Sequence, residues 1–164
     1  MSQLAVRMYG PDHCFTAKNL CDLHRQWLVD IYKWAGEYRE VNVSKGGFLF
    51  AAASLVPRLM DEFERDYLAR YTPFRTNRDC DIALALAETH TELLLIHPFR
   101  DGNVHIARLL AVLIALQAGI QTPDFDVVLK RQKTEYFAAV RAGVDRDYEP
   151  MRRLIAATIS GAAV

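Results

Sequence analysis

The sequence predicts an all-α fold, a helical bundle that carries one short β-hairpin. Three observations lead there. Apolar residues recur at intervals of three and four through most of the chain. The segments so marked are separated by Gly, Pro and Asp punctuation rather than by long linkers. Only one stretch, residues 38–50, alternates apolar and polar residues around a Gly-Gly pair, the pattern of two strands joined by a tight turn. At 164 residues the chain has the length of one domain with a real core, read as residues 1–164.

In order, residues 1–15 hold a Gly10-Pro11-Asp12 turn signal and little periodicity. The first helix is expected from Thr16, whose hydroxyl suits an N-cap, to Gly36. Leu20, Leu23, Trp27, Leu28, Ile31 and Trp34 form its apolar face. Val41 and Val43, the Gly46-Gly47 turn and Phe48-Leu49-Phe50 then make the hairpin. A hairpin alone is marginal, so it must lean on helices. Its edge is able to accept an extended peptide as an extra strand; the same stretch serves equally as a connector between two helices. Ser54 is the expected cap of a second helix, with Pro57 in its first turn and Leu59, Met60, Phe63, Tyr67 and Leu68 inward. Residues 71–79 are a polar loop. A third helix is expected from about Cys80 to Ile96, stopped by His97-Pro98. A fourth, Asn103–Ala118, is apolar nearly all round and belongs at the centre. Residues 120–128 read as irregular around Pro123. Lys133–Ala142 and Tyr148–Ser160 close the bundle, split at Gly143-Val144-Asp145.

Composition narrows the function. Twenty basic and twenty acidic residues balance. A duplex nucleic-acid binder is more often basic, so no direct nucleic-acid binding is expected. The longest apolar run, Leu109–Leu116, is about eight residues, far below a membrane span of ~18. The sequence as given opens without a secretory signal pattern. Cys14, Cys21 and Cys80 have no metal-ligand spacing and read as reduced thiols, which points to a cytoplasmic protein.

The stretch His97–Arg108, His-Pro-Phe-Arg-Asp-Gly-Asn-Val-His-Ile-Ala-Arg, concentrates the chemistry. Singly its residues mean little: a lone His is usually a surface or core residue, and Asp-Gly is usually a turn. Together they sit where one helix ends and the next begins. The first N–H groups of a helix lack intrahelical acceptors and favour anions. A base (His97), a carboxylate for a hard cation (Asp101), backbone amides at Gly102 and Asn103, and a guanidinium (Arg108) are the parts of a phosphate-transfer site.

This stretch resembles the signature of the Fic (filamentation induced by cAMP) family, His-x-Phe-x-Asp/Glu-Gly-Asn-Gly-Arg-x-x-Arg. His97, Phe99, Asp101, Gly102, Asn103 and Arg108 match it. Trp34–Arg39, Ser44–Phe48 and Tyr136–Pro150 are also similar to bacterial Fic proteins, so the resemblance covers about residues 16–155. It implies a mainly helical fold and transfer of AMP from ATP, with Mg²⁺, to a Ser, Thr or Tyr hydroxyl of a target protein. By that resemblance His97 is the base, Asp101 the Mg²⁺ ligand and Phe99 the anchor of the loop. Gly102 and Asn103 form the anion hole and Arg108 meets the γ-phosphate. The hairpin, with Val41, Val43, Lys45, Gly46, Gly47 and Phe48, is the flap that aligns the target. Tyr136 and Tyr148 are candidate nucleotide-pocket residues; each serves equally as a core aromatic.

Two positions depart from the signature. Val104 stands for its second glycine and His105 for its first arginine. Valine is stiff where glycine permits close approach, and an imidazole lacks the bidentate fork of a guanidinium. Both changes fall on the phosphate site and predict reduced transfer. They also motivate two alternatives: transfer of a different phosphate-bearing group, and a catalytically silent module that offers its flap to a partner. A metal hydrolase using His90, His97 and His105 is a weaker alternative, since Asp101 is the only hard ligand nearby. Family members are commonly restrained by a Ser/Thr-x-x-x-Glu-Gly/Asn motif, which this sequence lacks. The resemblance then implies a separate antitoxin-like inhibitor, as in toxin–antitoxin pairs, an inhibitory part outside this sequence, or no inhibition.

Overall fold

The computed structural model describes residue 5 and residues 7–75 and 81–159. The expected loop at residues 76–79, the Cys80 thiol and Ser160 lie outside the described residues. The order is α1 (Ala17–Leu28), β1 (Ser44–Lys45), β2 (Phe48–Leu49), α2 (Val56–Phe63), α3 (Ala69–Tyr71), α4 (Ile82–Ile96), α5 (Asn103–Gln117), α6 (Phe125–Arg131), α7 (Lys133–Ala142) and α8 (Glu149–Ile159). Among these residues the chain is a helical bundle with one two-stranded hairpin, as the apolar spacing predicts. Helix α4 lies along α5 and α8 and also meets α2 and α7. Leu86, Leu93, Ile106, Leu110 and Ile114 from α4 and α5 are buried in this central layer.

Helix α1 starts as expected. The Thr16 hydroxyl accepts the Asn19 amide and the Asn19 side chain returns a bond to the Thr16 amide, a reciprocal box. It ends at Leu28, however, well short of Gly36. The loop that follows finds other partners: Tyr32 and Trp34 stack at 4.4 Å, and the Gly36 amide donates to His24 Nδ1 at 2.8 Å. Ile31, expected on the buried face, is exposed.

The strands occupy only the tip of residues 38–50. Ser44 pairs with Leu49 and Lys45 with Phe48. Gly46 and Gly47 take φ of 56° and 76°, the successive positive values that a tight hairpin turn requires. Val41 lies outside the ladder: the Arg39 guanidinium takes its carbonyl, which the next pair of a longer ladder would use, and takes the Ala51 carbonyl as well. Ser54 caps nothing; it sits in a 3₁₀ turn, Ala53–Leu55, that leads into α2 with Pro57 in its first turn. A π-helical stretch, Glu64–Leu68, joins α2 to α3, and Glu64 accepts the Ala17 amide at the start of α1 at 2.7 Å.

Asp81 caps α4, and α7 has its expected bounds. Helix α6 contradicts the irregular reading of residues 120–128. The Asp124 carboxylate accepts the amides of Asp126 and Val127 and starts a helix just after Pro123. Seven residues are too few for a visible apolar period.

Candidate active site

The site lies where α4 gives way to α5. His97 ends α4 in a left-handed conformation, φ 52° and ψ 59°, that residues other than glycine rarely adopt. Four contacts hold it there. Its amide donates to Leu93 O at 3.0 Å, and its carbonyl accepts from Arg39 Nε at 2.6 Å. Its Nδ1 lies 3.2 Å from Leu94 O, and its ring stacks on Phe50 at 3.8 Å. A peptide carbonyl only accepts, so Nδ1 carries the ring proton and the lone pair sits on Nε2. Burial, reinforced by the charges of Arg39 and Lys45, lowers the pKa of His97 to about 4. At neutral pH the ring is therefore a deprotonated base.

The loop after it is pinned by residues from three directions. Phe99 is fully buried and stacks on His24 at 3.9 Å. His24 Nδ1 accepts from the Gly36 amide, so its Nε2–H donates to Asp101 O at 3.1 Å. The Asn103 side chain turns back on Phe99, accepting from its amide and donating to its carbonyl, each at 2.8 Å. Asn103 thus offers an anion its backbone amide and not its side chain. Gly102 has φ 78°, and a Cβ there would lie 2.8 Å from the Trp27 ring, so both conformation and space call for glycine. The Gly102 amide donates to its neighbour's carboxylate, Asp101 Oδ1, at 2.7 Å. The amides that start α5, at Asn103, Val104 and His105, have no intrahelical acceptor, and no side chain caps this end. They are what remains to hold an anion.

Two cavities flank this end of α5. The first, about 710 Å³, brings together His97, Val104 and Tyr136 with Lys45, Gly46 and Phe48 of the hairpin. Leu94 and Phe137 add apolar wall, and Lys133 and Arg141 add positive charge. Arg141 also reaches the hairpin tip, donating to Gly46 O at 3.3 Å and lying over the Phe48 ring. The second cavity, about 460 Å³, holds His105 and Arg108 beside Asp126 and Phe125. The His105 ring stacks on Trp27 at 4.1 Å, and burial together with the charge of Arg108 lowers its pKa. The Arg108 Nη1 is 3.1 Å from Asp126 Oδ1, and its buried Nε has no partner among the described residues.

The remaining candidates lie elsewhere. Tyr148 lines neither cavity; its hydroxyl donates to Glu92 at 2.6 Å and lies 3.0 Å from that of Tyr67. Val41 is exposed, while Val43 and Gly47 belong to the hairpin near its tip. His90, His97 and His105 face three different neighbours, Tyr136, Phe50 and Trp27, and share no ligand site. Among the described residues no three His, Cys, Asp or Glu side chains converge on a metal position. Mg²⁺ bound with a nucleotide takes one or two carboxylates and completes its shell with phosphate oxygens and water. Asp101 is exposed and has one oxygen engaged, which fits that donor set.

His24, Lys133, Arg141 and Asp126 have no site role in the sequence reading, and Arg39 and Phe50 have one only as part of the hairpin stretch 38–50. Arg39 is the most telling of these. It is 1% exposed, donates to the carbonyls of Val41, Ala51, Ile96 and His97, and its amide donates to Pro98 O. No local pattern marks an arginine whose acceptors are distant backbone atoms.

Comparison with known proteins follows the same outline. A model of the Fic/DOC family matches residues 14–115. A protein adenylyltransferase Fic from Drosophila melanogaster is 32% identical over 143 residues, 86% of this chain and 27% of that protein. A probable protein adenylyltransferase Fic from Salmonella typhimurium is 28% identical over 149 residues, 88% of this chain and 70% of that protein. Among solved structures, the BepC effector of Bartonella tribocorum with bound AMPPNP superposes with a TM-score of 0.70 at 19% identity, over 96% of this chain and 80% of that one. The chain thus spans about a quarter of the fly relative's length.

Proposed function

The chain belongs to the Fic/DOC family, and from that premise we propose that it is a protein adenylyltransferase, moving AMP from ATP to a hydroxyl side chain of a target protein. One observation carries this reading: His97, whose Nδ1 is engaged with Leu94 O, lines one cavity together with the hairpin tip and with Val104 at the uncapped start of α5.

In this reading the adenosine lies in the first cavity against Leu94, Val104 and Phe137, and Lys45, Lys133 and Arg141 supply positive charge at its walls. A target segment pairs with an open edge of the hairpin. Its hydroxyl proton passes to His97 Nε2 as the oxygen attacks the α-phosphorus. The bond to the bridging oxygen breaks and pyrophosphate leaves. The amides of Asn103, Val104 and His105 take up charge on the phosphates. Asp101 would hold Mg²⁺, which neutralises phosphate charge when bound. For Arg108 to meet the γ-phosphate it must leave Asp126, whose side chain is 75% exposed, so the exchange exposes no buried carboxylate.

The test is incorporation of label from [α-³²P]ATP into protein in a bacterial lysate with Mg²⁺, abolished in His97→Ala. Absence of both incorporation and ATP binding would sink the proposal. A second reading, transfer of a different phosphate-bearing group, is favoured by the phosphate side, where His105 lies against Trp27 and Arg108 against Asp126. Label carried only from [γ-³²P]ATP would select it. Nucleotide binding without transfer of any label would select the silent binding module. No helix among the described residues is long and apolar enough to cross a membrane. The proposal places the protein in the bacterial cytoplasm as a toxin-like enzyme, restrained by an antitoxin-like partner that engages Arg108. Co-purification from its native host tests that partner.

A further inference from the structure

His90 is fully buried on α4, about two turns before His97, and the mechanism above gives it no role. Two aromatic rings pack against it, with the charge of Arg108 nearby. The ring stacks on Phe125 of α6 at 4.6 Å and meets the Tyr136 ring edge-on at 5.9 Å. An aliphatic or aromatic residue would fill this space without desolvating two ring nitrogens. What the imidazole supplies is direction: its Nε2 is 2.9 Å from the Tyr136 hydroxyl, inside the bundle. Tyr136 in turn lines the first cavity together with His97 and Val104.

We propose that His90 is a positioning residue that fixes Tyr136 as a wall of the nucleotide cavity and thereby sets nucleotide affinity. The proposal rests on the adenylyltransferase reading of that cavity. Tyr136 is 1% exposed, and its hydroxyl is left without this bond only at the cost of an unsatisfied polar group or a turn of the ring into the cavity. Either change alters the space a nucleotide fills. The catalytic His97 is held by other contacts, from Leu93, Leu94, Arg39 and Phe50, so the chemical step is insulated from the bond.

The experiment measures ATP–Mg²⁺ binding by calorimetry and transfer kinetics for the parent, His90→Leu, His90→Gln, Tyr136→Phe and the His90→Leu/Tyr136→Phe double variant. The proposal expects His90→Leu to raise the ATP Kd and KM about tenfold with kcat little changed. His90→Gln, which keeps a hydrogen-bonding group, recovers most of the loss. The double variant binds ATP better than His90→Leu alone, because removing both partners leaves no orphan. Should His90→Leu fail to fold, Tyr136→Phe still decides, since it removes the same bond and is expected to raise the ATP Kd. An unchanged Kd in folded His90→Leu or Tyr136→Phe, or a fall in kcat at constant Kd, overturns the proposal. A parent that binds no ATP overturns the nucleotide reading itself, and this one with it.

Discussion

The two sides of the α5 N-terminus are built differently. On the side of the first cavity, His97 is held by backbone atoms and by Phe50, and its working nitrogen is left open. On the side of the second, the working groups already have partners: Arg108 is paired with Asp126 and His105 is stacked on Trp27. The departures from the family signature, Val104 and His105, stand at the boundary between the two. In the adenylyltransferase reading, the contrast teaches that proton removal and phosphate binding are separable: the first is preorganised, whereas the second requires Arg108 to exchange Asp126 for a phosphate.

Measurements on both sides would break or sharpen that contrast. The largest effect belongs to the base. His97→Ala lowers transfer by about 10²–10⁴-fold, read in an incorporation assay. Because the free-enzyme pKa of His97 is about 4, kcat/KM stays level from pH 8 to pH 5 and falls only on approach to that value. An inflection near 6.5 would show that the preorganised side is not as buried as described. Linkage has the matching sign: the pKa values of His90 and His97 are lowered on folding, so stability is full above about 6.5 and lost as pH falls toward 4.

Next, Arg39→Leu leaves the carbonyls of Ile96 and His97 without their donor and costs about 3 kcal/mol in urea unfolding. On the other side, Val104→Gly combined with His105→Arg opens the anion site and adds a fork of donors. It raises transfer about ten- to a hundredfold; no gain would mean that the phosphate side is not limiting. Asp126→Asn frees Arg108 from an exposed ion pair and tightens ATP binding by up to about fivefold in a calorimetric titration. The smallest effect is on stability. His97→Gly relieves the left-handed strain and stabilises the fold by about 1 kcal/mol relative to His97→Ala, while both are inactive. Equal unfolding midpoints for the two would show that His97 carries no strain.

The helices were legible where apolar residues repeat over several turns, as in α4, α5 and α7. The short α6 was not, because its start depends on the Asp124 side chain rather than on a pattern. The motif loop was readable as a set of residue types, with Gly102 required by its close approach to Trp27. The direction each side chain takes was not readable. Asn103 turns back to Phe99, Arg108 turns out to Asp126, and both result from partners remote in sequence or from loop geometry. Tyr148 illustrates the same limit: its spacing from the motif says nothing of the Glu92 carboxylate that receives its hydroxyl.

Arg39 has one further consequence. Every bond it makes is to a main-chain oxygen, on the hairpin side at Val41 and Ala51 and on the catalytic side at Ile96 and His97. Such a joint is indifferent to the side chains of the residues it grips. The hairpin's outward surface, including the exposed Val41 and Leu49, is free to diverge while its mounting stays the same. In the adenylyltransferase reading, resequencing the hairpin alone would then change the target that docks there, with His97 kept in register by a fitting that reads only backbone.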